Sequence, residues 1–348
     1  MRLTFDQEKR VIKRLLEHLG ASEEEARITA EVLAEADLRG FGSHGILRLP
    51  YILRALRRGT IIPNAKMRVI RETPSTALLD GGHGLGHPVA VRAMKLAIKK
   101  AKKTGVSAVA VRNTNHFGIA GYYAQLATDE NLIGIVTTTT DPLVCPWGGA
   151  EPVIGTNALS VGIPAEPHPV LLDMAMSSAA RGKLVEARKK GEKIPENWAI
   201  DSEGRPTTDP AKALKGALLP FGGVKGYALA VILEILAGPL GGSAAGKEVH
   251  GTLEPISGFS TKGDFMMAID PLVFGPLEEF KTRVRRFLDE IKASRKAKGV
   301  REILLPGEPE FRTRDRHLIE GIPVADEVWA EVNRIAKEIG IDILKEIR

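Results

Sequence analysis

Six consecutive residues, Ser43-His44-Gly45-Ile46-Leu47-Arg48, offer a hydroxyl, an imidazole and a guanidinium. Imidazole is the side chain best placed to exchange a proton near neutral pH. Guanidinium is the group best shaped to hold a small carboxylate through two parallel hydrogen bonds. A second stretch, Asn113-Thr114-Asn115-His116-Phe117-Gly118, brings another imidazole to the end of an apolar run. Standing alone, His116 reads better as a capping or hydrogen-bonded structural histidine. The two stretches together point to an enzyme that works on a carbonyl or hydroxyl beside a carboxylate.

Other chemistry-bearing residues are less pointed. His83 and His87 have a four-residue spacing that can hold a metal, but they sit in a glycine-rich loop with no third ligand nearby, so no metal site is expected. The single cysteine, Cys145, excludes an intramolecular disulfide framework and a cysteine-based zinc cage. The small residues of Met174-Ala175-Met176-Ser177-Ser178 allow backbone amides to approach a ligand, or simply make a tight turn. Lys225 lies between glycines before an apolar helix, where it suits a phosphate or ribose, or else plain solvent.

The elements that must position these residues are legible from periodicity. Thr4 to Leu19 has helical apolar spacing, with Gly20 as its stop. Ser22 with Glu25 forms a capping box that opens a second helix to about Leu38, and Leu47 to Arg58 reads as a third, with Pro50 in its first turn. His44 and Arg48 therefore fall at a helix start, four residues apart. Strands are expected at Thr76–Asp80, Ser107–Val111, Leu132–Thr137, Val170–Asp173 and Asp264–Ile269. Helices are expected at about Val89–Lys103, Ala120–Thr128, Arg181–Lys193, Gly275–Ala297 and Ala325–Ile339. Asp141 to Gly149 reads as an ordered loop, and Gly238 to Gly246 as a mobile one. The strand, glycine-rich turn and helix from Thr76 onward suggest a dinucleotide unit, yet the glycines miss G-x-G-x-x-G, since His87 stands three after Gly84. No acidic residue ends the run Val106 to Val111.

Composition sets the class. The 348 residues are 43% hydrophobic and 26% charged, ordinary for a globular protein with ample core. Net charge is +6, from 49 basic and 43 acidic residues. The basic runs, such as Lys99 to Lys103, read as solvated faces, because aromatics are only 5% and no nucleic-acid motif accompanies them. Signal-peptide character is missing at the N-terminus, and the apolar stretch Tyr227 to Leu236 reads as too short to span a bilayer. A cytoplasmic enzyme is the expectation. Abundant Lys, Arg and Glu with scarce Gln tilt towards a heat-adapted source.

Ordered along the chain, Ser43-His44-Gly45 with Arg48, Asn115-His116-Phe117-Gly118, and Pro146-Trp147-Gly148-Gly149 through Gly155-Thr156-Asn157 resemble the type-2 malate/L-lactate dehydrogenase family. The likeness runs nearly end to end. It also covers Asp173-Met174-Ala175, Lys225-Gly226-Tyr227 and Pro306-Gly307-Glu308. The resemblance implies a mixed-sheet α/β, non-Rossmann nicotinamide-binding fold with a helical N-terminal segment. Residues 1–70 would pack with 300–348, and 71–299 would form the cofactor- and substrate-binding domain. It implies NAD or NADP as cofactor, a small carboxylate substrate, and a homodimer or higher even oligomer. Carried over by motif, His44 is the proton donor and Ser43 orients it. Arg48 holds the substrate carboxylate with help from Thr156, and His116 is catalytic or substrate-binding. Phe117, Gly118, Ile119, Ala120, Gly121, Met174, Ala175, Met176, Lys225, Pro306, Gly307 and Glu308 would line the cofactor. The expected reaction is reversible reduction of a 2-keto acid, with malate/oxaloacetate first. Cyclic imino-acid or diketo-sugar-acid reduction, sulfolactate or ureidoglycolate oxidation, and nucleotide binding without turnover are the alternatives. Thr140-Asp141-Pro142 departs from the family pattern, which bears on the substrate pocket.

Overall fold

The computed structural model describes residues 1–253 and 258–347. The chain opens with a short strand β1 (Arg2–Leu3) and three helices, α1 (Phe5–His18), α2 (Glu23–Leu38) and α3 (Leu49–Arg57). Thr4 and Ser22 cap α1 and α2 through reciprocal bonds with Gln7 and Glu25, which satisfies amides that a helix start leaves bare. Ile46–Arg48 is not yet α-helix but a 3-10 turn leading into α3. Leu15, Leu16, Leu33, Leu49 and Leu53 bury the shared face of the three helices. The C-terminal strand β13 (Ile322–Pro323) pairs antiparallel with β1, and helix α11 (Asp326–Glu338) adds Val332 and Ile335 to the same core.

The middle of the chain builds one large sheet. In chain order come β2 (Arg68–Glu72), β3 (Thr76–Asp80), α4 (Gly86–Thr104), β4 (Val106–Arg112), α5 (Ala120–Thr128) and β5 (Ile133–Thr138). Then follow β6 (Pro142–Val144), β7 (Ile154–Gly155), β8 (Leu159–Ile163), β9 (Val170–Met174) and, much later, β12 (Asp264–Ile269). The sheet order is β2-β3-β4-β12-β5-β8-β9. β3 and β4 are parallel, whereas β12 runs antiparallel to both its neighbours, β4 and β5. An antiparallel strand at the centre is foreign to a doubly wound parallel sheet, which accounts physically for the failed glycine fingerprint. α4 and α5 cover one face, and α8 (Val224–Ala237) packs on the other against β4, β5 and β12.

One consequence of this topology matters most. β3, β4 and β5 all end where β12 begins: Asp80 pairs with Arg112, and Asp264 pairs with both Val111 and Thr138. Four connections therefore meet at one end of the sheet: the glycine loop after Asp80, the His116 loop, the Thr139–Asp141 segment and the approach to β12.

A smaller lobe holds β10 (Ala199–Ile200), β11 (Ala217–Leu218), β6 and β7 in a four-stranded sheet. Helices α6 (Arg181–Lys190) and α7 (Pro210–Ala213) belong to it, and Leu184, Ala187, Leu233 and Met176 share its core. Helices α9 (Leu277–Ala293) and α10 (Glu308–Glu320) complete the chain.

Several expectations are corrected. Pro142–Val144 is a strand, because the loop's residues find a ladder with β7 and β11. The Gly238–Gly246 segment, read as a loop, turns through a 3-10 helix at Pro239–Gly241 and folds back so closely that a Cβ on Gly238 would sit 2.5 Å from the Ala244 carbonyl. Gly191, at φ 68°, ends α6 three residues early. The apolar stretch is longer than read: α8 together with the 3-10 turn after it, Val224–Gly241, reaches 18 residues at a mean hydropathy of 1.5, enough by length and composition to cross a membrane. Glu234 in its middle is buried and hydrogen-bonded, and the helix flanks the sheet. β2 and α10 went unread.

Candidate active site

The glycine loop and the His116 loop are stitched together. The Asn115 side-chain amide donates to the carbonyls of His83 (3.1 Å) and Gly84 (2.8 Å). Gly86, which opens α4, lies so close that a Cβ would stand 2.2 Å from the Asn115 carbonyl oxygen and 2.4 Å from that of His116. This contact fixes the backbone on which His116 is carried. The ring Nδ1 of His116 accepts from the Gly118 amide at 3.2 Å, so the neutral ring carries its proton on Nε2.

His44 arrives from the other side, on the turn between α2 and α3. Its ring stacks on that of His116 with centroids 5.5 Å apart and planes 25° from parallel. Ser43 Oγ meets His44 Nδ1 at 2.8 Å, which leaves Nε2 as the nitrogen free for chemistry. Burial, and then the adjacent Arg48 charge, push the His44 pKa down to about 3. His116 is lowered as well, by burial first and then by Arg48, His44, His87 and Lys262. Both rings are thus neutral before any anion binds.

Arg48 is the reason for that field. Its Nε is buried and has no hydrogen-bond partner, and among the described residues no carboxylate forms an ion pair with the guanidinium. Asp141 contributes a weaker attraction at longer range. The Asp141 carboxylate is itself occupied by the Thr252 amide (2.8 Å) and hydroxyl. A buried cation without a counter-ion is costly, and a substrate carboxylate relieves that cost. Thr156 lies beside Asp141: its amide donates to Thr140 Oγ1 at 2.8 Å and its hydroxyl meets the same oxygen at 3.2 Å. Glu234 of α8 supports this segment by accepting from the Asn157 side chain and from the Gly246 amide at 2.8 Å.

Sequence reasoning passed over the ion pair beneath His116 and read His87 only as a possible metal ligand. Lys262 and Asp264 form an ion pair with both side chains buried. The ammonium also meets the Asn115 carbonyl at 3.3 Å and lies 4.7 Å from the centre of the Phe117 ring. His87 is fully buried, neither ring nitrogen has a partner among the described residues, and burial, then Lys262, push its pKa down to about 3. A Lys-x-Asp pair looks like surface polarity in a sequence. The only usable signal was its position at the entry to a predicted strand. Among the described residues no group of three His, Cys, Asp or Glu is arranged for a metal.

The expected cofactor segments divide into two sets. A cavity of about 340 Å³ is lined by Arg39, Phe41, Asp173, Pro306 and Gly307 among others. It opens next to the His44 turn, because Phe41 lies three residues before His44. Gly121 donates its amide to Asp173 Oδ2 at 2.7 Å, which ties the start of α5 to the end of β9. Burial raises the Asp173 pKa to about 6. Gly307 has φ 89° and a Cβ there would stand 2.9 Å from Leu171, so this wall needs glycine. A cavity of this size has room for part of a dinucleotide, and the Arg39 guanidinium on its wall is already held by Glu35 and Gln125.

Other expected cofactor residues do not line it. Phe117, Ile119, Ala120 and Met176 bury their side chains in the core, and Phe117 packs edge-on against Tyr123 at 5.0 Å. Only their backbone, with Gly118, remains to face a ligand. Glu308 turns away and binds Lys292 at 2.7 and 2.8 Å. Met174 and Ala175 are half-buried at the end of β9, and Lys225 is exposed on the first turn of α8. On the basic helix α6, Lys189 and Lys190 pair with Glu327 and Glu186.

A family model described as malate/L-lactate dehydrogenase matches residues 3–333. The chain is 47% identical to an L-sulfolactate dehydrogenase of Methanothermobacter thermautotrophicus, over 100% of both chains. It is 46% identical to a malate dehydrogenase of Pyrococcus horikoshii, over 95% of this chain and 93% of that one. Among solved structures, the sulfolactate dehydrogenase of Methanocaldococcus jannaschii superposes with a TM-score of 0.96 at 46% identity, covering 100% of both chains.

Proposed function

The chain belongs to the malate/L-lactate dehydrogenase family, and from that premise we propose that malate is the 2-hydroxy acid it oxidises and oxaloacetate the keto acid it reduces. The coarser activity, a 2-hydroxy-acid dehydrogenase working with NAD or NADP, comes with the family. The observation that carries the proposal is Arg48, a half-buried guanidinium whose Nε has no partner among the described residues, beside two stacked neutral imidazoles.

In this reading Arg48 takes the carboxylate next to the reacting carbonyl by two parallel hydrogen bonds. NAD(P)H, when bound, supplies the hydride. Burial depresses His44 most and the Arg48 charge adds to it; the arriving anion offsets the second of these, so the ring gains proton affinity as the substrate seats. His44 then protonates the carbonyl oxygen from Nε2 as negative charge develops there, while Ser43 holds Nδ1 and fixes the ring's orientation. Tied at Nδ1 by Gly118, His116 donates a hydrogen bond from Nε2 and aligns the substrate. Thr156 would help hold the carboxylate, Pro306 and Gly307 would wall the cofactor, and Asp173 would hold that wall to α5.

Sulfolactate is the second reading, favoured by the 47% identity to a protein of that name over the whole chain. Both acids carry a second anion one carbon from the hydroxyl-bearing carbon, so the relative turnover of oxaloacetate and sulfopyruvate separates them.

The clamp is tested by Arg48→Lys. An ammonium keeps the charge and loses the two-pronged geometry, so kcat/KM for the keto acid should fall by about tenfold or more, while NAD(P)H binding measured by fluorescence stays unchanged. Unaltered kcat/KM would remove Arg48 from the carboxylate.

A further inference from the structure

Glu8 of α1 is fully buried, one helical turn from Val11 and Ile12. Neither of its carboxyl oxygens meets an N–H or O–H donor among the described residues. Helix α2 packs along α1, and the ionisable group acting on this carboxyl is Asp37, buried in the last turn of α2. Two buried carboxylates that act on each other repel, and such a pair is stabilised when one proton is held between them. Burial raises Asp37 to about 6, against the opposing pull of its bonds with Glu8 and the Ile46 amide. Burial, followed by the Asp37 charge, raises Glu8 well above the ordinary carboxyl range.

Asp37 reaches the active-site turn directly. Its Oδ2 accepts from the Ile46 amide at 2.6 Å. Gly45, the residue after His44, lies against the same carboxyl: a Cβ there would stand 1.9 Å from Oδ2 and 2.0 Å from Cγ. The glycine of the Ser43-His44-Gly45 motif is thus required by the approach of Asp37. From α10, His317 Nδ1 meets the Asp37 carbonyl at 3.2 Å. Lys9, the next residue of α1, is taken by Glu31 at 2.7 Å. Among the described residues no Lys or Arg forms an ion pair with either buried carboxyl.

We propose that Glu8 and Asp37 share one proton, and that this carboxyl pair is the positioning device that sets the Ser43–Arg48 turn. The inference rests on His44 being the proton donor only for its effect on rate. Above the pH at which the shared proton leaves, two carboxylates face each other, Asp37 shifts, and the Ile46 amide loses its fixed acceptor. Glu8 and Asp37 act through the turn and touch no substrate.

Infrared spectroscopy, amide exchange and kinetics on the full-length protein and its Glu8→Gln and Glu8→Leu variants test this. The unsubstituted protein should show a protonated-carboxyl stretch at neutral pH that Glu8→Gln lacks. The Gln amide donates to Asp37 at every pH, so Glu8→Gln should keep the Ile46 amide protected and abolish the alkaline fall in kcat. Glu8→Leu supplies no donor, so its Ile46 amide should exchange about tenfold faster and its kcat should drop in proportion, with the Kd for NAD(P)H unmoved. Absence of the carboxyl band, or an Ile46 exchange rate identical in all three proteins, would overturn the proposal. If band and exchange behave as stated while no 2-keto acid is reduced, the pair stands and the functional reading falls.

Discussion

His44 sits at a pKa of about 3, held there by burial and Arg48, yet the proposed chemistry asks it to deliver a proton. Substrate binding must reconcile the two. A carboxylate on Arg48 raises the proton affinity of His44, so the complex binds more protons than the free protein. Malonate, an unreactive dicarboxylate, should therefore bind with proton uptake and bind more tightly as pH falls from 8 to about 6. Calorimetry in two buffers of different ionisation heat reads the uptake directly; proton release on binding would have the sign wrong. His116 is assigned a hydrogen bond rather than a proton. Accordingly, His116→Asn should retain measurable kcat with its catalytic ionisation intact. His44→Asn should lose about a hundredfold or more and lose that ionisation. The opposite pattern exchanges the two roles. At this scale the sequence was informative wherever spacing declares chemistry: Ser43, His44, Arg48 and His116 stand close in space as their motifs suggested. It was silent on Lys262 and Asp264, because burial of an ion pair is decided by strands far away in the chain.

The elements place these side chains by close backbone contact more than by side-chain packing. The start of α4 presses Gly86 onto the carbonyls of Asn115 and His116, so Gly86→Ala must push the His116 loop away. The expected cost is about 1–3 kcal/mol of stability. Circular-dichroism melting should show a lower Tm, and kcat should fall more than KM rises. Wild-type melting and wild-type kcat in Gly86→Ala would mean that the contact is slack. Helix positions were legible because caps and apolar spacing are local: the Ser22 box and α5 fall where the pattern put them. Pro142–Val144 was not legible, since its strand exists only through partners at Gly155 and Leu218. Sequence also proposed Glu308 for the cofactor, and nothing local reveals that Lys292 takes that carboxylate.

For the whole molecule, the defining feature is a strand from late in the chain, β12, inserted between β4 and β5. It brings Lys262 to the end of the sheet where His116 already stands and makes the sheet mixed. Periodicity gave the strand but not its place, which depends on contacts more than a hundred residues apart. The resemblance of ordered motifs supplied the fold that periodicity could not. The same architecture leaves the Arg48 guanidinium without a carboxylate partner among the described residues. The most direct test follows NAD(P)H absorbance while the purified protein is offered oxaloacetate, sulfopyruvate, pyruvate and a cyclic 2-imino acid, with NADH and NADPH in parallel. Oxaloacetate should be reduced with a kcat/KM at least about tenfold above pyruvate, a discrimination worth roughly 1.4 kcal/mol. Reduction of the imino acid alone, or NAD(P)H binding with no turnover of any 2-keto acid, would contradict it.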